Sequence, residues 1–214
     1  MRGADDPHHG QPVLHAGVAV ADAALVAILL HGRGGSAGDI LGLSRELTAA
    51  NVAYLAPQAS GHTWYPYSFL APLQQNEPYL GSALRTIAGL IENLAGQGVP
   101  SEHIVLMGFS QGACLTLEFA ARYARRYAAV AALTGGLIGA PNTPRDYPGS
   151  LSGTPVFIGS SDVDPHVPLE RVHESTAILR GMGAAVDERI YPGMGHTVNR
   201  DELDAVDALL AQPK

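Results

Sequence analysis

Residues 104–112 read IVLMGFSQG, an apolar run followed by a pentapeptide with a serine between two glycines. The apolar run at 104–107 predicts a short buried strand, and the residues at 111–126 have the periodicity of a helix. Such a strand-to-helix turn exposes the hydroxyl of its serine and leaves no room for bulk two residues before and after it. The sequence therefore predicts a strand, a sharp turn at Ser110 and a helix.

The rest of the chain repeats the alternation of apolar runs and helical periods. Further strands are predicted at residues 13–21, 25–30, 52–56, 128–133, 155–158 and 186–191. Helices are predicted at residues 36–47, 80–94, 169–182 and 199–210. This alternation is typical of one α/β domain with a mostly parallel central sheet flanked by helices. We assign it to residues 1–214, with a flexible segment at 1–11.

Local signals refine these boundaries. Ser36 with Asp39, and Asn199 with Glu202, match the capping pattern of helix starts. A long polar and aromatic loop is predicted at residues 57–78. Residues 135–153 are rich in Gly, Pro and Ser, which predicts a surface loop too short to form a separate cap domain.

Composition limits the classes of function. With 214 residues, 46% hydrophobic and 15% charged, the chain can bury a globular core, which excludes disorder and fibres. A net charge of -7 disfavours nucleic acid and anionic membrane surfaces as partners. The one cysteine excludes an internal disulfide and a zinc site built on thiolates, and it fits the reducing cytoplasm.

No targeting or membrane segment is recognised in the sequence. The longest apolar run, residues 23–30, is far shorter than the roughly 20 residues that span a bilayer. Residues 1–10 lack the apolar segment of a signal peptide. They contain His8 and His9, for which metal binding is the less favoured interpretation and solvent-facing chain the favoured one.

A serine becomes nucleophilic only when a base accepts its proton and a third group orients that base. Candidate partners follow two other predicted strands, and the carboxyl ends of parallel strands meet at one edge of a sheet. Asp164 is the favoured acid because Pro165 holds it in an extended conformation. Asp162 remains a rival, although an Asp in such a turn often only bonds the backbone.

The candidate base is His196, which lies between the glycines of a turn after the last predicted strand and the final helix. His166 is a rival, but it precedes that strand, whereas the nucleophile, acid and histidine follow each other in that order in the strand–turn–helix class of serine enzymes. Three other histidines have no comparable setting and are expected to be structural or exposed: His31, His103 and His173.

Acyl transfer also requires two backbone N–H groups that stabilise the developing oxyanion. Gln111, directly after the serine, supplies the first by position, and the glycine-rich turn after residues 25–30 offers the N–H of Arg33 as the second. A phosphate-binding loop is the alternative interpretation of that turn. It is disfavoured because the turn lacks both the Lys-Ser/Thr ending of a P-loop and the G-x-G-x-x-G spacing of a dinucleotide site.

Four segments carry a family resemblance: LHGRG at 30–34, GFSQG at 108–112, DPHVP at 164–168 and GH at 195–196. Together they resemble the phospholipase/carboxylesterase family of α/β-hydrolases, which includes the acyl-protein thioesterases. The resemblance implies an α/β-hydrolase fold without a cap, acting on carboxylic esters or thioesters with no metal or organic cofactor. It also implies that the acid is Asp164, since the family places it in the D-P-x-V-P segment.

The resemblance also suggests how the substrate is bound. The segment around Trp64, Tyr65 and Phe69 resembles the wall of the family's acyl site, although aromatic residues in a long loop often only anchor it. Arg33 stands where eukaryotic thioesterases typically carry an apolar residue, which argues against long-chain lipidated proteins as substrates. Cys114 is expected to pack rather than to react.

We therefore expect a cytoplasmic serine carboxylesterase that hydrolyses small esters with short-to-medium acyl groups through an acyl-enzyme on Ser110. An acyl-thioesterase or a lysophospholipase of the same family is the nearer alternative. A non-catalytic ligand-binding protein of the same fold is a more distant one. A small-molecule ester is the expected partner, and a homodimer is a candidate assembly.

Overall fold

The computed structural model describes residues 6–211, which form a seven-stranded sheet flanked by helices. In chain order the strands are β1 Val13–Gly17, β2 Leu25–Leu30, β3 Val52–Pro57, β4 Ile104–Phe109, β5 Ala129–Leu133, β6 Pro155–Ser161 and β7 Ala185–Tyr191. Their order across the sheet is β1-β3-β2-β4-β5-β6-β7.

Strands β2 to β7 are parallel, and only the edge strand β1 runs antiparallel to its neighbour β3. The predicted mostly parallel sheet is therefore confirmed. Strands β2 and β4 lie side by side at the centre, buried at every position except the last residue of β4. The segments that follow β2, β4, β6 and β7 begin at one edge of the sheet, since parallel strands share the direction of their carboxyl ends.

In the described part of the chain, five α-helices cover the two faces of the sheet: α1 Ala37–Gly42, α2 Tyr79–Gly96, α3 Gln111–Arg122, α4 Leu169–Gly181 and α5 Arg200–Leu210. One apolar cluster joins the sheet to α2, α3 and α4. A second cluster joins the opposite face to α1 and α5. Both faces are thus buried, which explains why the central strands are apolar throughout.

Both predicted capping boxes are confirmed. The Ser36 hydroxyl accepts from the Asp39 N–H while the Asp39 carboxylate accepts from the Ser36 N–H. Asn199 and Glu202 form the same reciprocal pair at the start of α5. The second box fixes where the last loop before α5 ends.

Three predicted elements were too long. Strand β1 ends at Gly17 rather than at 21, because Gly17 has a φ of +75° and the chain turns into a short 3-10 helix at Val20–Asp22. Helix α1 becomes a 3-10 turn at Leu43–Arg45. Helix α3 ends at Arg122 rather than at 126. Helix and strand ends depend on local packing that periodicity does not report.

The prediction of solvent-facing chain at the start of the sequence was wrong for His8, whereas residues 9–11 are exposed and residues 1–5 lie outside the described range. His8 is 2% exposed, and its Nδ1 accepts from the Ser60 N–H at 3.0 Å. Its Nε2 therefore carries the proton and donates to the Trp64 carbonyl, also at 3.0 Å. Both ring nitrogens are occupied by backbone groups, which leaves neither for a metal ion.

The prediction of a surface loop at 135–153 was wrong for its first part. Leu137 and Ile138 are buried, and their N–H groups donate to Ser175 Oγ and Glu118 Oε2. A buried loop requires partners for its backbone groups, and here polar side chains on two helices supply them. Among residues 6–211, no helix combines the length and apolar character needed to cross a bilayer.

Candidate active site

Ser110 lies in the sharp turn that the sequence predicts between β4 and α3. Its backbone has φ 55° and ψ −119°, a conformation that side chains rarely adopt. A Cβ on Gly108 would lie 2.3 Å from the Gly112 carbonyl oxygen, and one on Gly112 would lie 2.0 Å from the Leu30 carbonyl oxygen. Both glycines are therefore required by contact with backbone. The Ser110 N–H donates to the Leu133 carbonyl at 2.9 Å, which holds the turn over the sheet.

A chain of hydrogen bonds joins Ser110, His196 and Asp164. His196 Nδ1 lies 2.7 Å from Asp164 Oδ2, and His196 Nε2 lies 2.8 Å from Ser110 Oγ. An ionised carboxylate can only accept, so Nδ1 carries the ring proton and Nε2 is free to accept from the serine hydroxyl. This is the tautomer that a general base requires.

The Asp164 side chain is fully buried beneath His196. Burial raises its pKa, but hydrogen bonds from His196 and from the N–H groups of His166 and Val167 outweigh this, so the pKa lies below its ordinary value. Asp164 Oδ1 accepts those N–H bonds at 2.7 Å and 2.9 Å. The carboxylate is thus ionised and held in place by its own loop.

The rival residues occupy different positions. Asp162 Oδ1 accepts from the Gly193 N–H at 2.8 Å, so this carboxylate holds the turn that precedes His196 instead of contacting its ring. His166 is exposed, and the centre of its ring lies 4.8 Å from that of His196 in an edge-to-face arrangement. Its position beside His196, at the rim of the site, was not evident from spacing.

The glycine-rich turn after β2 lies against Ser110. A Cβ on Gly32 would lie 3.3 Å from the Cβ of Ser110, so only glycine allows this close approach without displacement. Within residues 6–211 the backbone N–H groups of Arg33 and Gln111 have no hydrogen-bond partner. Both predicted donors thus have an unpaired N–H group, which oxyanion binding requires.

The side chain of Arg33 stabilises the neighbouring loop. Its guanidinium donates to Thr63 Oγ1 at 3.1 Å, to the Pro66 carbonyl at 2.9 Å and to the Tyr67 carbonyl at 2.6 Å. These bonds join the turn that carries the Arg33 N–H to the aromatic loop at 57–78. The cation therefore has hydrogen-bond partners, lines the pocket and is exposed to solvent.

Gln111 has a second role that sequence reasoning missed. Its side-chain oxygen accepts from the Trp64 N–H at 2.8 Å, and its side-chain nitrogen donates to the Tyr65 carbonyl at 2.8 Å. A buried amide that satisfies two backbone groups fixes the aromatic loop against the first turn of α3. Spacing offered no signal for a contact between residues 46 positions apart.

A pocket of about 440 Å³ opens at Ser110 and His196. It is lined by Arg33, Tyr65, Pro66, Tyr67, Ser68, Phe69, Gln111, Cys114, His166 and Val167. The assignment of Trp64 to this wall was wrong, because Trp64 is fully buried, does not line the pocket and donates from Nε1 to the His31 carbonyl. Tyr65 and Phe69 do line the pocket.

Cys114 is buried one helical turn after Ser110 and contributes to the same pocket. Burial raises the pKa of its thiol to about 12, so the sulfur stays protonated and packs as an apolar group. Within the described range 6–211, no group of three or more His, Cys, Asp or Glu side chains is arranged to hold a metal ion.

This sheet, with the turn at Ser110 and no separate cap domain, is the fold of the α/β-hydrolases. The chain belongs to the phospholipase/carboxylesterase family, whose pattern its residues 18–212 match.

Solved and curated relatives agree with this assignment. A phospholipase/carboxylesterase from Dyadobacter fermentans has a TM-score of 0.91 and 46% identity, with 95% of this chain and 98% of that chain covered. An acyl-protein thioesterase 1 from Gibberella zeae is 34% identical over 126 residues, which are 56% of this chain and 52% of that protein. The chain spans about half the length of the curated relatives it matches. A carboxylesterase from Bacillus cereus shares the fold, with a TM-score of 0.74 and 18% identity. The match covers 96% of this chain and 95% of that chain.

Proposed function

We propose that the protein is a serine carboxylesterase. The observation that carries this proposal is the continuous hydrogen-bonded chain from Asp164 through His196 to the Ser110 hydroxyl at the mouth of a pocket. Ser110 Oγ attacks the ester carbonyl carbon while His196 Nε2 accepts the hydroxyl proton. Asp164 orients the imidazole and stabilises its positive charge.

The negative charge that develops on the carbonyl oxygen is bound by the N–H groups of Arg33 and Gln111. When the tetrahedral intermediate collapses, the bond to the alcohol oxygen breaks and His196 donates its proton to that oxygen. An acyl-enzyme on Ser110 remains. His196 then deprotonates a water molecule, which attacks the acyl carbonyl, and the carboxylic acid leaves as Ser110 regains its proton.

The pocket supports an acyl group of short-to-medium length. Its inner wall includes Tyr65, Phe69 and Cys114, which are 1%, 7% and 2% exposed. Phe69 is fixed further because its carbonyl accepts from the Gly139 N–H at 2.7 Å. A wall of buried, bonded residues limits the length of chain that the pocket accepts.

A thioesterase is the second candidate. It is favoured by the 34% identity to a protein named acyl-protein thioesterase 1, since both activities use the same acyl-enzyme chemistry. Matched esters and thioesters with the same acyl group separate the two activities by their kcat/KM ratio. Faster turnover of acyl groups longer than about ten carbons would contradict the short-chain proposal.

The mechanism is tested by labelling with an organophosphate or a sulfonyl fluoride, followed by peptide mass analysis. We expect one adduct per chain, on Ser110. Ser110→Ala should accept no label and should lower turnover of nitrophenyl butyrate by about four to six orders of magnitude with the fold intact. An adduct on another residue, or hydrolysis that survives in Ser110→Ala, would refute the proposal.

A further inference from the structure

A second pocket, of about 410 Å³, lies next to the turn that carries Ser110. Its walls come from the turn at 31–35, from α1 and the 3-10 turn after it, and from Phe109 and the loop after His196. Arg33 borders both this pocket and the first one. The two pockets are of similar size, and the mechanism proposed above assigns nothing to the second.

Two residues that line the second pocket are chain neighbours of Ser110 and His196. Phe109 directly precedes Ser110, and Thr197 directly follows His196. The ring centre of Phe109 lies 5.3 Å from that of His196, and a Cβ on Gly32 would lie 3.3 Å from the Phe109 ring. The second pocket is therefore lined by direct chain neighbours of Ser110 and His196, and it shares Arg33 with the first pocket.

The surface of the second pocket suits an apolar group. Its side walls include Ile40, Leu43, Phe109 and Val198, all of which belong to or pack against the apolar cluster under α1 and α5. Its charged residues already have partners. Asp39 is bonded to Ser36, and the Arg33 guanidinium is bonded to loop carbonyls. Both charged side chains are exposed to solvent, so neither forms part of the buried wall of the pocket.

An ester has two halves, and the mechanism requires different properties of their sites. The acyl half must stay bound while water attacks, which suits the first pocket with its buried inner wall of Tyr65 and Phe69. The alcohol half must receive a proton from His196 and then leave. The second pocket suits departure, because Thr197 and Arg33 at its edge are exposed to solvent.

We propose that the second pocket binds the alcohol half of the substrate and selects esters of apolar aliphatic alcohols. This inference rests on the proposed esterase function. It predicts that the chain has two separate selectivities, one for the acyl group and one for the alcohol, set by residues on opposite sides of Ser110.

The experiment measures kcat/KM for acetate esters of methyl, butyl and hexyl alcohol, and for methyl esters of acetic, butyric and hexanoic acid. With a fixed acetyl group the acyl-enzyme is the same for every alcohol. Differences in kcat/KM along the acetate series therefore report the step in which the alcohol is bound and released. In the wild-type protein, we expect kcat/KM to rise with alcohol length by up to about fourfold per buried methylene.

Leu43→Trp fills the second pocket from its half-buried 3-10 turn and should reduce the hexyl-to-methyl ratio of the acetate series at least tenfold. The acyl series should keep its wild-type ratio. Leu43→Ala enlarges the pocket and should shift the preference towards bulkier alcohols. This second variant tests the pocket assignment if Leu43→Trp does not fold. Leu14→Trp is the matched control, since it adds the same bulk at an exposed position of β1 and should keep both ratios.

An unchanged alcohol ratio in a folded Leu43→Trp would overturn the inference, as would a change confined to the acyl series. Absence of hydrolysis and of Ser110 labelling in the wild-type protein would instead refute the esterase proposal itself. The labelling result therefore separates failure of the pocket assignment from failure of the function.

Discussion

Gly112, in the first turn of α3, lies so close to the last residue of β2 that a Cβ on it would stand 2.0 Å from the carbonyl oxygen of Leu30. The contact is between backbones, so neither side can yield by rotating a side chain. It seats the helix that follows Ser110 on the neighbouring strand. The second glycine of the pentapeptide thus joins the turn of the candidate nucleophile to the strand that precedes the Arg33 turn.

Gly112→Ala should destabilise the fold by about 3 kcal/mol or more, because the methyl group must displace the backbone of β2. Gly89→Ala is the matched control: Gly89 is exposed within α2 and a Cβ there meets nothing within 4 Å. That substitution should stabilise the protein by about 1 kcal/mol, the difference in helix propensity. Urea denaturation measures both. A shift of the same sign in the two variants would contradict the close contact.

Asp164→Asn should lower kcat by about four orders of magnitude, the loss typical when the acid of such a Ser-His-Asp set becomes an amide and the imidazole adopts the wrong tautomer. Asp162→Asn retains an oxygen that can accept from the Gly193 N–H, so its kcat should stay within about twofold of wild type. Steady-state hydrolysis of nitrophenyl butyrate measures both. Similar losses in the two variants would show that the wrong carboxylate has been assigned.

Glu202 should make stability fall as pH rises. It is fully buried, and burial, opposed by the Asn199 N–H bond, raises its pKa to about 7. The unfolded chain releases this proton near pH 4.3, so between about pH 4.3 and 7 the folded state binds more protons and the unfolding free energy declines with pH. The loss should approach about 3 kcal/mol by pH 8.

Glu202→Gln keeps an acceptor for the Asn199 N–H but does not titrate. All other titratable groups are common to wild type and this variant, so their contributions cancel in the difference between the two unfolding free energies. It should fall steadily from pH 4.5 to pH 8 when measured by chemical denaturation. A flat difference across that range would show that the carboxyl is ionised in the folded protein.

His8→Ala should cost about 3 kcal/mol of stability, because it leaves a small cavity and removes the partners of the Ser60 N–H and the Trp64 carbonyl. His9→Ala provides the control, since His9 is exposed and should change stability by less than about 0.5 kcal/mol. Thermal or urea unfolding distinguishes them. Equal, small effects would show that the segment at 6–11 does not pack on the aromatic loop.

Much of the fold could be predicted from local pattern. The apolar runs located all seven strands, and the capping pairs at Ser36 and Asn199 located two helix starts. Boundaries were less accurate where a turn depends on contact with another strand, as at Gly17, whose Cβ would lie 2.1 Å from the Val52 carbonyl oxygen. The burial of residues 137 and 138 could not be predicted, because it depends on buried polar partners on α3 and α4.

The sequence by itself determined the strand–turn–helix at Ser110, the order of Ser, Asp and His along the chain, and the glycines that such a turn requires. These features depend on neighbouring residues and on the shared direction of parallel strands. The sequence also favoured Asp164 over Asp162, and the structure places Asp164 against His196 and Asp162 on the Gly193 N–H. Tertiary structure alone decided that Arg33 and Gln111 brace the aromatic loop and that a second pocket flanks the site. The reason is physical: these contacts join residues from loops far apart in sequence, and their geometry is fixed only when the sheet brings the ends of its strands together.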